Sequence, residues 1–118
     1  MSDANYFNKA NVTYGEKKYV EALALYKEAI KEKDHVTKSF YNAGVCCIKL
    51  KEYPNALKLL KCALDLGYQD SKVYFNLGYC YSMLNNSKNA YLNFNIAWSL
   101  DNKDKECEKA IKLIETCL

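Results

Sequence analysis

Tyr19-Val20-Glu21-Ala22-Leu23, Tyr53-Pro54-Asn55-Ala56-Leu57 and Ser87-Lys88-Asn89-Ala90-Tyr91 lie 34 residues apart, and a step of 34 brings nearly every other position into register. Tyr6, Phe40 and Tyr74 form one column, and Ala10, Gly44 and Gly78 a second. Further on come Tyr26, Leu60 and Phe94, then Ala29, Ala63 and Ala97, then Ile30, Leu64 and Trp98. Self-similarity at a fixed step of this size marks a repeat architecture. Each copy is then one small unit that cannot bury its own apolar face, and stacking supplies the core.

Within each copy, apolar residues recur at three- and four-residue spacing, which predicts two amphipathic helices per copy. The first helices are expected over 3–15, 37–50 and 71–84, the second over 19–32, 53–66 and 87–100. Short breaks at Gly15 to Lys18, Lys51 to Glu52 and Asn85 to Asn86 suit antiparallel neighbours. Pro54 falls where a first helical turn tolerates it, and Gly67 falls just past a helix end, a favoured cap site. The Ala and Gly columns mark close helix approach, where a bulkier side chain costs about 1–3 kcal/mol by overpacking.

Copy three carries Tyr74, Leu77, Gly78, Tyr81, Ala90, Phe94 and Ala97. This order of an aromatic, Leu-Gly, Tyr, and Ala-x-x-x-aromatic-x-x-Ala resembles the tetratricopeptide repeat family, over about residues 3 to 102. Copy one departs from the pattern at Lys9 and Thr13, and Asp34, Tyr68 and Asn102 stand where the family has a terminal proline. The resemblance implies an all-α, right-handed superhelical solenoid of three helix-turn-helix repeats in a single domain over 1–118. The repeats span about 3–36, 37–70 and 71–104, with a C-terminal capping helix over about 105–118. In that last segment Lys112 falls in the glycine column and Glu115 in the Tyr81 column, so the repeat ends there. Cys107, Ala110, Ile111, Ile114, Cys117 and Leu118 share one side, which is expected to cover copy three.

A chain of 118 residues is long enough for one core and too short for two. Its net charge is +3 and every cation is a lysine. Mild basicity without arginine is poor equipment for phosphate recognition, so nucleic acid is not an expected partner. No apolar run follows Met1-Ser2-Asp3-Ala4-Asn5, and none approaches the ~18 residues a membrane span needs. No membrane association and a cytoplasmic location are the expectations. Of the six cysteines, Cys46 and Cys47 are adjacent and the others form no CxxC pair; His35 is the only histidine. That pattern lacks the four ligands of a structural zinc site and predicts buried, reduced helix residues. Catalysis has no visible machinery either. His35, next to Asp34, reads as a solvated loop residue, no Ser or Thr has an activating partner, and the four glycines are scattered. No enzyme activity, metal or cofactor is expected.

The informative polar column is Asn8, Asn42 and Asn76. It lies two residues before the Ala/Gly column, about 200° round the helix from the packed position. Asparagine is a mediocre helix former, so three in register want a reason. The resemblance implies that first helices line a concave groove, where asparagines at this place bond the backbone of an extended ligand. An amide both donates and accepts, which matches a peptide group whatever the ligand's sequence. The competing explanation is that the chain is rich in asparagine. Phe7, Tyr41 and Phe75 form the adjacent column; Asn11, Val45 and Tyr79 follow three residues after the asparagines, and Tyr14, Ile48 and Ser82 extend the surface. Lys38 and Lys72 stand at the entrances of two first helices. Members of the family that hold a C-terminal carboxylate use a five-residue clamp. Asn11, Asn42 and Lys72 match three of its places, while Phe7 and Asn76 stand where cations are expected.

The expected function is a protein–protein interaction module that takes a partner protein, as a peptide segment or helix, in the groove. The asparagines would do so with their aromatic and lysine neighbours. A structural self-assembly module, with a homo-oligomer as its product, is the alternative.

Overall fold

Among the described residues the periodic segments resolve into seven helices. They are α1 (Tyr6–Gly15), α2 (Tyr19–Lys31), α3 (Val36–Lys49), α4 (Tyr53–Asp65), α5 (Ser71–Met83), α6 (Ser87–Leu100) and α7 (Lys105–Glu115). The computed structural model describes residues 5–118, and no strand occurs among them. Positions 3 and 4 of the expected first helix lie outside the described residues. Asn5 caps α1, its Oδ1 accepting the Asn8 N–H at 3.1 Å. Among the described residues no helix is long and apolar enough to cross a membrane.

Five of the turns share one device. A residue in the left-handed region follows the helix: Lys17 (φ 63°), Lys33 (φ 59°), Lys51 (φ 61°), Gly67 (φ 94°) and Asn85 (φ 60°). Lys17, Lys51 and Asn85 are one 34-residue column, Lys33 and Gly67 another. Each turn closes with paired backbone bonds. Gly67 N–H donates to the Leu64 carbonyl at 2.8 Å, and Tyr68 N–H to the Ala63 carbonyl at 3.0 Å. Such pairs satisfy carbonyls that a helix end leaves without partners. Asp34 and Tyr68 stand where the family has proline. Both residues donate the second bond of the pair, Asp34 N–H to the Ala29 carbonyl at 2.8 Å, and proline has no N–H to give.

The chain divides into two compact units, one ending at Tyr68 and one running over Gln69–Leu118. In the first, α1 packs on α2, α2 on α3, and α3 on α4. Its core holds Ala10, Ala22, Tyr26, Ala43 and Cys46, with Phe7, Tyr14, Leu23, Leu25 and Leu59 against it. Gly44 faces Leu60 so closely that a Cβ would sit 2.9 Å from Leu60 Cγ and Cδ2. Glycine at 44 is therefore a steric requirement of the α3–α4 contact.

In the second unit α5 packs on α6 and α6 on α7. Ala90, Phe94 and Ile114 are buried together, joined by Phe75, Tyr81, Tyr91, Ala110 and Ile111. A Cβ on Gly78 would come within 2.6 Å of Phe94 Cδ1. Asp104 caps α7, accepting from the Glu106 and Cys107 N–H groups, and the buried Cys107 thiol donates to the Phe94 carbonyl at 3.2 Å. The outer face carries Lys105–Glu108, Lys109–Glu106 and Lys112–Glu108 pairs. Cys117 and Leu118 differ from expectation. α7 ends at Glu115, before the turn that would bring them onto its apolar side, and both are exposed.

Candidate functional site

Asn11 and Tyr14 stand three residues apart on one face of α1; Tyr41, Asn42 and Val45 share one face of α3. With Tyr26 of α2 they line a hollow of about 380 Å³ in the first unit. Tyr26 is only 2% exposed, and its hydroxyl donates to Asn11 Oδ1 at 2.5 Å. Burial pushes the Tyr26 phenol up to about 12, with Cys46 adding to the rise and a hydrogen bond from the Asn42 side chain pulling against it. Burial likewise raises the Tyr14 phenol, helped by Tyr19 and Cys46 nearby. Both phenols are neutral across physiological pH.

Two of the rings are braced from behind. Tyr19 meets Tyr14 edge-on, with centroids 5.3 Å apart and planes at 65°, and Tyr68 meets Tyr41 at 5.4 Å and 84°. Edge-to-face contacts of this kind favour fixed ring orientations. None of the six lining residues carries a charge. Amide groups and ring surfaces are what the hollow offers; it contains no nucleophile paired with a base. Among the described residues, no three His, Cys, Asp or Glu side chains are grouped to hold a metal ion.

The other residues singled out from the sequence divide between the two units. Asn8 is exposed on the first turn of α1, outside the hollow, while Asn11 lines it together with Asn42. The reason is geometric. Residues one repeat apart point the same way, whereas residues facing each other across two helices point in opposite directions. Asn42 is therefore faced from α1 by a residue one turn beyond its own counterpart. Phe7 is half-buried in the core below, edge-on to Tyr26 at 6.1 Å. Lys38 is exposed at the start of α3. In the second unit, Phe75 packs on Phe94 at 5.4 Å, Asn76 is half-buried, and Tyr79 and Lys72 are exposed on α5.

His35 is exposed in the turn between α2 and α3, as expected of a loop residue, with its ring partly engaged. Its ring stacks on Phe7 with centroids 4.3 Å apart, and its Nδ1 lies 2.6 Å from Asp34 Oδ1. Tyr26 enters the sequence pattern only as a member of a repeat column. Its signal was legible in the column Tyr26, Leu60, Phe94, where it alone carries a polar tip.

No curated protein matches the chain. Among solved structures it is similar to the TPR domain of Arabidopsis OM64, with 23% identity, 96% of this chain and 93% of that chain covered, and a TM-score of 0.90. It is also similar to the first TPR of Spaghetti (RPAP3) bound to the HSP90 peptide SRMEEVD, with 19% identity, 95% and 89% covered, and a TM-score of 0.90. YrrB, a TPR protein with an unusual peptide-binding site, shares 24% identity at a TM-score of 0.85; the match covers 92% of this chain and 56% of that one. At these identities the likeness is one of fold. The family model for anaphase-promoting complex, cyclosome, subunit 3 matches residues 1–63, more than half of the chain. With three repeats in phase and the fold of solved tetratricopeptide domains, the chain belongs to this tetratricopeptide repeat family.

Proposed function

We propose that the chain is a non-enzymatic protein-interaction module that holds an extended segment of a partner protein against α1 and α3. The observation that carries this reading is the hollow itself, in which Asn11 and Asn42 stand beside the braced rings of Tyr14 and Tyr41. A main chain presents alternating donors and acceptors, and an amide side chain can meet either. The fold supports the reading too, since similar structures hold peptides: SRMEEVD on the first TPR of Spaghetti, and a YopD peptide on the Yersinia enterocolitica chaperone SycD. Asn76, Phe75, Tyr79 and Lys72 provide the corresponding surface on α5 of the second unit, and Asn8 and Lys38 flank the first. A cytoplasmic location goes with this proposal.

Selection from a displayed peptide library, followed by calorimetry on the enriched peptide, tests it. A dissociation constant on the order of micromolar is expected for a groove contact of this kind. Asn42→Ala should weaken binding about five- to tenfold, one net hydrogen bond's worth, with the melting temperature held. Failure of every library peptide to bind, or binding that ignores Asn42, would refute the proposal.

A further inference from the structure

The hollow has a polarity that the peptide-binding reading leaves open. Tyr26 is packed in the core, so its hydroxyl can turn only toward the hollow, and there it donates to Asn11 Oδ1 at 2.5 Å. An amide oxygen has two lone pairs and Tyr26 takes one, which fixes the amide's orientation and leaves both Nδ2–H groups as its open donors. Asn11 is thus held as a donor, and its natural partner is a carbonyl oxygen.

The walls restrict the ligand further. Tyr14 and Tyr41 are braced by Tyr19 and Tyr68. No lining residue is charged. A charged ligand side chain entering the hollow would lose water and gain no opposite charge. A main-chain N–H turned into it would have to share the Asn11 oxygen with Tyr26 or take the Asn42 oxygen or a tyrosine hydroxyl. A polyproline II segment avoids both difficulties: its carbonyls project outward, its prolines carry no N–H, and its rings pack on aromatic surfaces.

We infer that the α1–α3 hollow takes an uncharged, proline-containing segment in polyproline II form, with Tyr26 as the positioning residue that makes Asn11 donate to a ligand carbonyl. This rests on the reading of the hollow as a peptide site and names the ligand class for it.

The experiment is NMR titration of the 15N-labelled chain with acetylated, amidated hexaproline and, separately, with SRMEEVD. Hexaproline should move the signals of Asn11, Tyr14, Tyr41 and Asn42 and shift the Asn11 side-chain NH2 resonances downfield; SRMEEVD should leave them in place. Tyr26→Phe keeps the ring and removes the hydroxyl. It should weaken hexaproline binding about tenfold, the effect of one well-placed hydrogen bond, and abolish the Asn11 NH2 shift. Should Tyr26→Phe not fold, Asn11→Asp, on an exposed position, carries the test, since it replaces the donor by an acceptor and should weaken binding at least as much. Inert hexaproline overturns the inference. SRMEEVD moving the same signals overturns the ligand class while the peptide-binding reading stands. Unchanged hexaproline affinity in folded Tyr26→Phe overturns the positioning role.

Discussion

The rings of Phe7 and His35 lie face to face, 4.3 Å between centroids and 10° from parallel, and join the start of α1 to the turn before α3. Asp34 completes the junction. Its Oδ1 meets His35 Nδ1 at 2.6 Å and its Oδ2 accepts the Phe7 N–H at 3.2 Å. The first helix of the first unit is thus fastened at its N-terminal end by one carboxylate.

That carboxylate gives a pH signature. The hydrogen bond with His35, then that from the Phe7 N–H, hold the Asp34 carboxyl below its ordinary value of 3.8, against the opposing effect of burial. A carboxyl depressed in the folded state stabilises it above the unfolded-state pKa, and that contribution is lost as pH falls through the folded value. Asp34→Asn should lower the melting temperature at pH 7, and the gap to wild type should close as pH drops below 3.8. Thermal melts by circular dichroism across pH 2 to 7 read it directly, and a pH-independent gap would contradict the assignment.

The left-handed turn residues give a stability prediction. Lys51 sits at φ 61° with nothing but its backbone serving the turn. A residue with a Cβ in this region costs roughly 1 kcal/mol relative to glycine. Lys51→Gly should stabilise by about that amount and raise the melting midpoint about 4 °C. Gly67→Ala, at φ 94°, should act in the opposite direction by about 1 kcal/mol. Urea unfolding of both variants measures the pair, and effects of the same sign would be inconsistent with the turn geometry.

Gly78→Ala tests the helix contact in the second unit. The added Cβ would lie 2.6 Å from Phe94 Cδ1, so ring or helix must shift, at about 1–3 kcal/mol. Combining it with Phe94→Leu should recover part of what the two changes cost separately, because the smaller side chain vacates the contact. Strict additivity in the double-mutant cycle would mean that the two positions do not touch.

Thiol labelling should order the cysteines by burial. Cys117 is exposed, Cys62 half-buried, and Cys46, Cys47, Cys80 and Cys107 are buried. Burial pushes the Cys46 thiol up to about 12 and Cys107 up to about 11, leaving almost no thiolate to react near neutrality. At pH 8 Ellman's reagent should modify Cys117 first and Cys62 next, and reach the buried four only on unfolding. Prompt reaction of Cys46 in the folded protein would show that the first unit opens readily.

Local structure and the small-residue contacts are legible in the spacing of residues along the chain. Stepping by 34 residues located the helices to within a few positions at either end. It also picked out Gly44 and Gly78, because helix periodicity and steric exclusion act on neighbouring residues and write themselves into every copy. It identified Asn11, Tyr41 and Asn42 as surface candidates and a single ligand-facing column as the expected arrangement. Which of them meet depends on how the helices pack. Asn11 faces Asn42, through the hydroxyl of Tyr26, because side chains that confront each other across a gap occupy non-equivalent positions in their repeats. The stacking of His35 on Phe7 was equally out of reach of a periodic pattern. It depends on where a turn residue at φ 50° delivers one ring beside another, a matter of three-dimensional path rather than of spacing along the chain.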